Sequence, residues 1–196
     1  MPLGAHKAAI MGVSGTATTG DVVLLSAQTA SDDASISFTS GIDSTYGEYI
    51  FRLYIINPET DLAEFTFNGS IDAGSNYNVT KTTTWHRAYH SESDLSAAYG
   101  YDNGSDLAQS TDYQRLAEDV GNGADECCAG ELHLFNPSGT TYAKHFYAKL
   151  NSLNGADSSY NHFIAGYFNT TDNIDAIDFK MSTGNFDGKI KLWGVK

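Results

Sequence analysis

Three scarcities set the first limits on this chain of 196 residues: it has 2 cysteines, 3 prolines, and 11 lysines and arginines against 24 aspartates and glutamates. The cysteines, Cys127 and Cys128, are neighbours. Adjacent residues are poorly placed to bond to each other, so there is no disulfide framework and no redox compartment is implied. With His133 they lack an obvious fourth metal ligand, and they read instead as small apolar residues at the start of a strand. The net charge of -13 argues against nucleic acid as a partner, because phosphate binding needs clustered Lys and Arg. The acids are scattered among Ser, Thr, Asn and Gly, the pattern of solvated loops on a soluble, self-repelling surface.

Long apolar runs are also missing. No stretch approaches a membrane span, and the run from Ala8 to Val13 in "MPLGAHKAAIMGVSG" is too short for a secretory leader. Manufacture in a cytoplasm is therefore expected, and the N-x-[ST] matches at Asn68, Asn78, Asn103 and Asn169 read as turn residues. With no Pro-rich linker and no repeat at solenoid periods, the chain is expected to form one domain.

Signatures of chemistry are equally sparse. There is no G-x-S-x-G elbow, H-E-x-x-H or Walker loop, and no enzymatic activity is expected. His86 and His90 share a face but stand far apart for one metal ion. A carboxylate pair such as Glu126 and Glu131 has the residue types of glycoside cleavage, a chemistry without a local signature. "YDNGSD", with Asp102, Asn103, Ser105 and Asp106, offers the hard oxygens that calcium prefers but departs from the spaced calcium loop. A turn explains it more simply, and no cofactor is expected.

What is present is β-forming sequence. Segments rich in β-branched and aromatic residues, separated by Gly, Asn, Asp and Ser, predict strands over 21–27, 35–39, 48–56, 63–68, 82–89, 130–135, 142–150, 163–168, 176–182 and 189–195. "EYIFRLYII" is apolar on both faces except at Arg52 and predicts a central strand. A short helix is expected after Ser110, with Tyr113, Leu116 and Val120 as its stripe and Gly121 as its end. Residues 1–20, small and without sustained periodicity, predict an extended N-terminal arm. The expectation is an all-β fold: an antiparallel two-sheet β-sandwich over 21–196, jelly-roll-like, with one short helix in a long connection.

Two groups of residues are candidates for contact. Trp85, Tyr89, Tyr99 and Tyr101 surround a loop rich in Ser, Gly and Asp and are the candidate glycan or receptor contact. For Trp85 and Tyr89 the competing reading is core or subunit interface. At the C-terminal end, "AIDFKMS" and "KIKLWGV" predict a hairpin that continues one buried face through Ile190 and Leu192 and sets Lys189 and Lys191 across from Asp178. This leaves Trp193 and Val195 on the lysine face, to be covered by another subunit or by the arm, so that the last strand completes the fold and attachment falls to the other end. On the arm side His6, Lys7 and Met11 are the candidate interface.

The segments "GAHKAAIMG", "GELHLFNPSGTTYAKHFYA" and "AGYFNTTDNIDAIDFKMSTGNFDGKIKLWGVK" resemble a family of small β-rich virion structural proteins of tailed bacteriophages, especially marine ones. The resemblance covers most of the chain and is poorest between Thr82 and Asp125. It implies a non-enzymatic component of the tail, a tail fibre or the capsid surface, made in the cytoplasm of the bacterial host and located in the virion. It implies other virion proteins as partners and a homo-oligomer, with a trimer the preferred state, and it carries over no active-site residues. Capsid decoration is the alternative within that class, and a carbohydrate-binding receptor-recognition module is the alternative outside it.

Overall fold

A computed structural model describes residues 21–196; the expected arm, with His6, Lys7 and Met11, lies outside the described residues. Twelve strands follow in order: β1 (Val22–Asp33), β2 (Ser35–Phe38), β3 (Glu48–Pro58), β4 (Ala63–Ser70), β5 (Lys81–Ser91), β6 (Ala97–Tyr101), β7 (Gln114–Val120), β8 (Cys128–Phe135), β9 (Lys144–Asn154), β10 (Ser158–Phe168), β11 (Ala176–Met181) and β12 (Phe186–Val195). Period-2 alternation places them. In β9, Phe146, Ala148 and Leu150 turn inward while His145, Lys149 and Asn151 turn outward.

All strand pairs are antiparallel. In place of two packed sheets in jelly-roll order, one hydrogen-bonded path runs β1-β12-β3-β8-β9-β7-β4-β11-β2. Because β1 and β2 are consecutive in the chain, this path nearly closes into a barrel. At the seam the Gln28 side-chain amide donates to the Ser37 carbonyl at 2.8 Å. β9 is the branch point: β8 and β10 flank it, and its last residue, Asn154, pairs with Val120 of β7. From β10 the sheet continues through β5 to β6 as a wing.

Phenylalanine fills the barrel. Phe179 packs against Phe38, Phe51, Phe65 and Phe67 with ring centroids 5.3 to 6.3 Å apart. Phe67 also meets Phe146 and Phe168 at 5.1 and 6.1 Å. Each fully buried ring of this kind stabilises the fold by about 1.5–3 kcal/mol relative to exposure.

Three expectations are corrected here. The helix after Ser110 is β7: Leu116 and Val120, four residues apart, fit either period, and the inward Gln114 and Glu118 conceal the alternation. The C-terminal hairpin does not form. Instead, β11 lies between β4 and β2, and β12 lies between β1 and β3. Asp178 accepts from Ser37 Oγ at 2.5 Å and Tyr113 OH at 2.9 Å rather than facing Lys189 or Lys191. Asn68 is no turn residue but a buried one on β4, its amide donating to the carbonyls of Tyr77 and Thr111 at 2.7 and 2.9 Å.

A bulge interrupts β3 between Leu53 and Ile56, opposite a shift in β12 between Asp187 and Lys189. Ile55 sits there at φ 52°, with 70% of its surface exposed. A β-branched residue in the left-handed region is strained by an amount on the order of 1 kcal/mol, and asparagine tolerates that region better. Ile55→Asn should therefore raise the melting temperature by about 2–4 °C, measured by thermal unfolding; an equal or lower value would refute strain at this position.

Candidate functional site

The outward residues of the long sheet form one continuous face. A register line across β12, β3, β8, β9, β10, β5 and β6 sets Lys191, Arg52, Glu131, Lys149, Phe163, His86 and Tyr101 side by side. A parallel line on β8 to β6 carries Ala129, Asn151, Asn161, Ala88 and Tyr99. On the other side run Trp193, Ile50, His133, Tyr147, Ala165 and Thr84. This ordering follows from alternation within each strand and from the registers between them.

Rings dominate the middle of the face. His133 stacks on Tyr147 at 4.4 Å and 13°, and Tyr147 is followed by Phe163 at 6.4 Å and 15°. Phe135 adjoins both His133 and Tyr147, at 6.4 and 5.8 Å. Burial, then the charges of Glu48 and Glu131, pushes the Tyr147 phenol above its ordinary pKa. At the β6 end His86 lies against Tyr99 and Tyr101 at 6.1 and 5.2 Å. His133 is held between two carboxylates, Nδ1 2.5 Å from Glu48 and Nε2 3.3 Å from Glu131.

Two open troughs run beside the rings. One, of about 440 Å³, is lined by Arg52, Ala129, Glu131, Lys149, Asn151 and Asn161 among others. The second, of about 430 Å³, is lined by Phe135, His145, Tyr147, Tyr167 and the threonines Thr82 and Thr84 among others. Two cations, Arg52 and Lys149, line the first trough, and Lys189 and Lys191 line a neighbouring cavity beside Tyr54 and Ile55. Of the described lysines and arginines, Arg52, Lys149, Lys189 and Lys196 are exposed, and the first three share this face. Arg52 approaches Glu131 at 3.9 Å and lies 5.7 Å from the Trp193 ring, while Lys191 lies 5.1 Å from the Tyr54 ring.

The expected contact residues divide between surfaces. Tyr99 and Tyr101, 76% and 50% exposed, stand on the outer face. Trp85 does not: it is fully buried on the inner face of the wing, 5.1 Å from His162, because its place in the β5 alternation points it at β7. Tyr89 is half-buried on the same inner side against Tyr160, with Arg87 beside both rings. Trp193 and Val195 are half-buried and outward; Trp193 Nε1 is buried and has no partner among the described residues. Asp102 accepts from the Gly104 amide at 2.8 Å and Asp106 from the Tyr101 hydroxyl, so the two carboxylates serve different donors. Glu126 accepts from the Gly123 amide, away from Glu131 on the outer face. Nothing in the sequence marks Arg52, Lys149, Asn151, Asn161 and Phe163 as site residues, although the outward set of "KHFYAKLN" is readable from its alternation.

The inner side of the wing is polar and closed. Glu118, 5% exposed, is paired with Arg87 and lies 3.7 Å from Arg115. Gln114 accepts from Thr83 Oγ1 at 2.5 Å and donates to the Ser105 carbonyl at 2.9 Å. The buried Lys81 ammonium donates to the Asp112 carbonyl at 2.5 Å, and burial lowers its pKa to about 7. Ser152 Oγ and His162 Nε2 lie 3.0 Å apart, a spacing seen in nucleophile and base pairs, but these residues are 1% and 0% exposed. Burial first, then Arg87 and Arg115, lowers the His162 pKa from 6.5 to about 3, so the ring is neutral in the fold at ordinary pH.

Two measurements follow. Below pH 6.5 the unfolded chain takes up a proton on His162 that the folded chain refuses until about pH 3, so stability falls as pH falls through that window. The loss is about 1.4 kcal/mol per unit. Thermal unfolding from pH 7 to pH 5 should therefore show a shallower decline in His162→Gln than in the unaltered chain; parallel declines would contradict a neutral buried ring. Trp85→Ala should cost about 3–5 kcal/mol in denaturant unfolding, and Tyr99→Ala within about 0.5 kcal/mol. Equal costs would contradict their opposite placement.

Compared with protein-family models, with curated proteins and with solved structures, the chain matches none.

Proposed function

We propose that this chain is a non-enzymatic structural component of a tailed-phage virion, held through residues 1–20 and displaying its barrel and wing on the particle surface. The observation that carries the reading is how the resemblance maps on the fold. Residues 130–148 and 165–196, where the resemblance is clear, supply most of β8, the first half of β9, the end of β10, and β11 and β12. Residues 82–125, where it is poorest, supply β5, β6 and β7. β6 is exposed along its whole length. A packed framework that carries an exposed edge suits surface recognition on a particle.

The place where residues 1–20 join the fold supports the same reading. Val22 pairs with Val195, and Leu24 with Trp193, whose indole N–H lacks a partner among the described residues. A segment from the arm or from another copy packs on the half-buried, outward Trp193 and Val195, and a homo-oligomer, a trimer first, is the assembly proposed. Within the virion, a tail or fibre position outranks capsid decoration because the ring-rich face suits recognition.

Deletion of residues 2–20 is the test. The truncated chain should keep the circular dichroism and melting temperature of the full chain yet be absent from purified particles, as read by mass spectrometry. Undiminished incorporation of a folded, truncated chain would overturn attachment through residues 1–20.

A further inference from the structure

We propose that the trough on the outer face of β3, β8, β9 and β10 is a binding site for an acidic polysaccharide, a chain of sugar rings bearing carboxylate or sulfate groups. The site does not depend on the virion reading, because it is built from residues of the isolated chain.

Charge placement is the first observation. On a protein of net charge -13, the exposed cations Arg52, Lys149 and Lys189 stand on one face, and among the described residues no carboxylate lies within ion-pair distance of Lys149 or Lys189. Acidic surface elsewhere repels a polyanion, so the field directs it to this face. The Arg52 guanidinium is a planar fork suited to carboxylate or sulfate, and Lys149 adds a compact point charge three strands from Lys191. At about 4.8 Å per strand, the line from Lys191 to Lys149 spans roughly 14 Å, the scale of a short oligosaccharide rather than a single ion.

The rest of the trough fits sugar rather than a bare anion. Asn151 spends its amide N–H groups on Ser159 Oγ and the Tyr160 carbonyl at 3.0 and 2.9 Å, which fixes its oxygen as an acceptor for a hydroxyl. Asn161 lies beside it on β10. Phe163, 44% exposed, follows Lys149 on the same register line and offers an apolar surface to the C–H side of a pyranose. Beyond it the line continues through His86 to the exposed Tyr101, so a longer polymer has rings to lie against. A second copy of the chain is the less suited occupant, since protein interface cores are depleted in lysine and glutamate and this trough centres on both.

The experiment uses the purified full chain in about 0.15 M salt, with polygalacturonate, dextran sulfate and neutral dextran as probes in calorimetry. Binding to polygalacturonate, to dextran sulfate or to both, without binding to dextran, is expected and identifies the anionic group. Lys149→Glu and Phe163→Ala should each weaken it at least about tenfold, with Arg52→Gln replacing Phe163→Ala if that variant does not fold. Lys180→Glu, the same charge change on β11, should leave it within about twofold. No binding, equal binding to dextran, or equal weakening by Lys180→Glu overturns the proposal. So does self-association in sedimentation that Lys149→Glu abolishes while no polysaccharide binds, which would make the face a subunit interface.

Discussion

The contact on which this fold turns is that of the Phe179 ring with four other phenylalanine rings inside the barrel. A nearly closed barrel has little interior volume, and these rings fill it from β2, β3, β4 and β11 at once. Every strand that contributes must alternate, one residue to the rings and the next to the outside. The inside is thus determined by packing, while the outward residues are free to carry charge, amide and ring. The face described above exists because that freedom falls on strands held in register by their inward neighbours.

The wing is fixed by a different kind of contact. Its inner side meets β7 and the residues just before it through largely buried polar groups: Thr83 with Gln114, Arg87 with Glu118, and Lys81 with the Asp112 carbonyl. Such groups contribute modestly when satisfied and cost several kcal/mol when one partner is lost, so they specify the seating of the wing more than they strengthen it. The large apolar member, Trp85, sits among them with His162 and seals the layer. Outward Phe163 and Tyr101 therefore stand on a closely packed backing, although the buried Trp85 Nε1 and His162 Nδ1 in it have no hydrogen-bond partner among the described residues.

Most of this framework was legible in the sequence because alternation and β-branched or aromatic content act locally. β3 and β11 read clearly: Phe51 and Leu53, or Ile177 and Phe179, recur at period two between turn residues. β7 was misread because Leu116 and Val120 satisfy two periods and its other inward residues are polar. β6 was missed because Ala98 and Gly100 give it no apolar face, and its existence depends on pairing with β5. The supposed hairpin failed for a related reason. Nearness in sequence favours pairing but does not decide it, and β11 and β12 lie on either side of the β1–β2 seam, each between other neighbours. The face itself was only half legible: alternation gives the outward set of each strand, whereas bringing Arg52, Lys149 and Phe163 onto one line takes registers among strands distant in sequence.

The branch at β9 has a mechanical side. β10 is matched to β9 over eleven consecutive pairs, from Ser158 with Asn154 to Phe168 with Lys144, without a register break. Force directed along these strands loads the whole ladder in shear, so no pair can yield before the others. Force directed across them would unzip the pairs singly. Tension from anything gripped along the strand direction of the outer face would pass undiminished from wing to barrel through that seam, and the two would resist drag as one body.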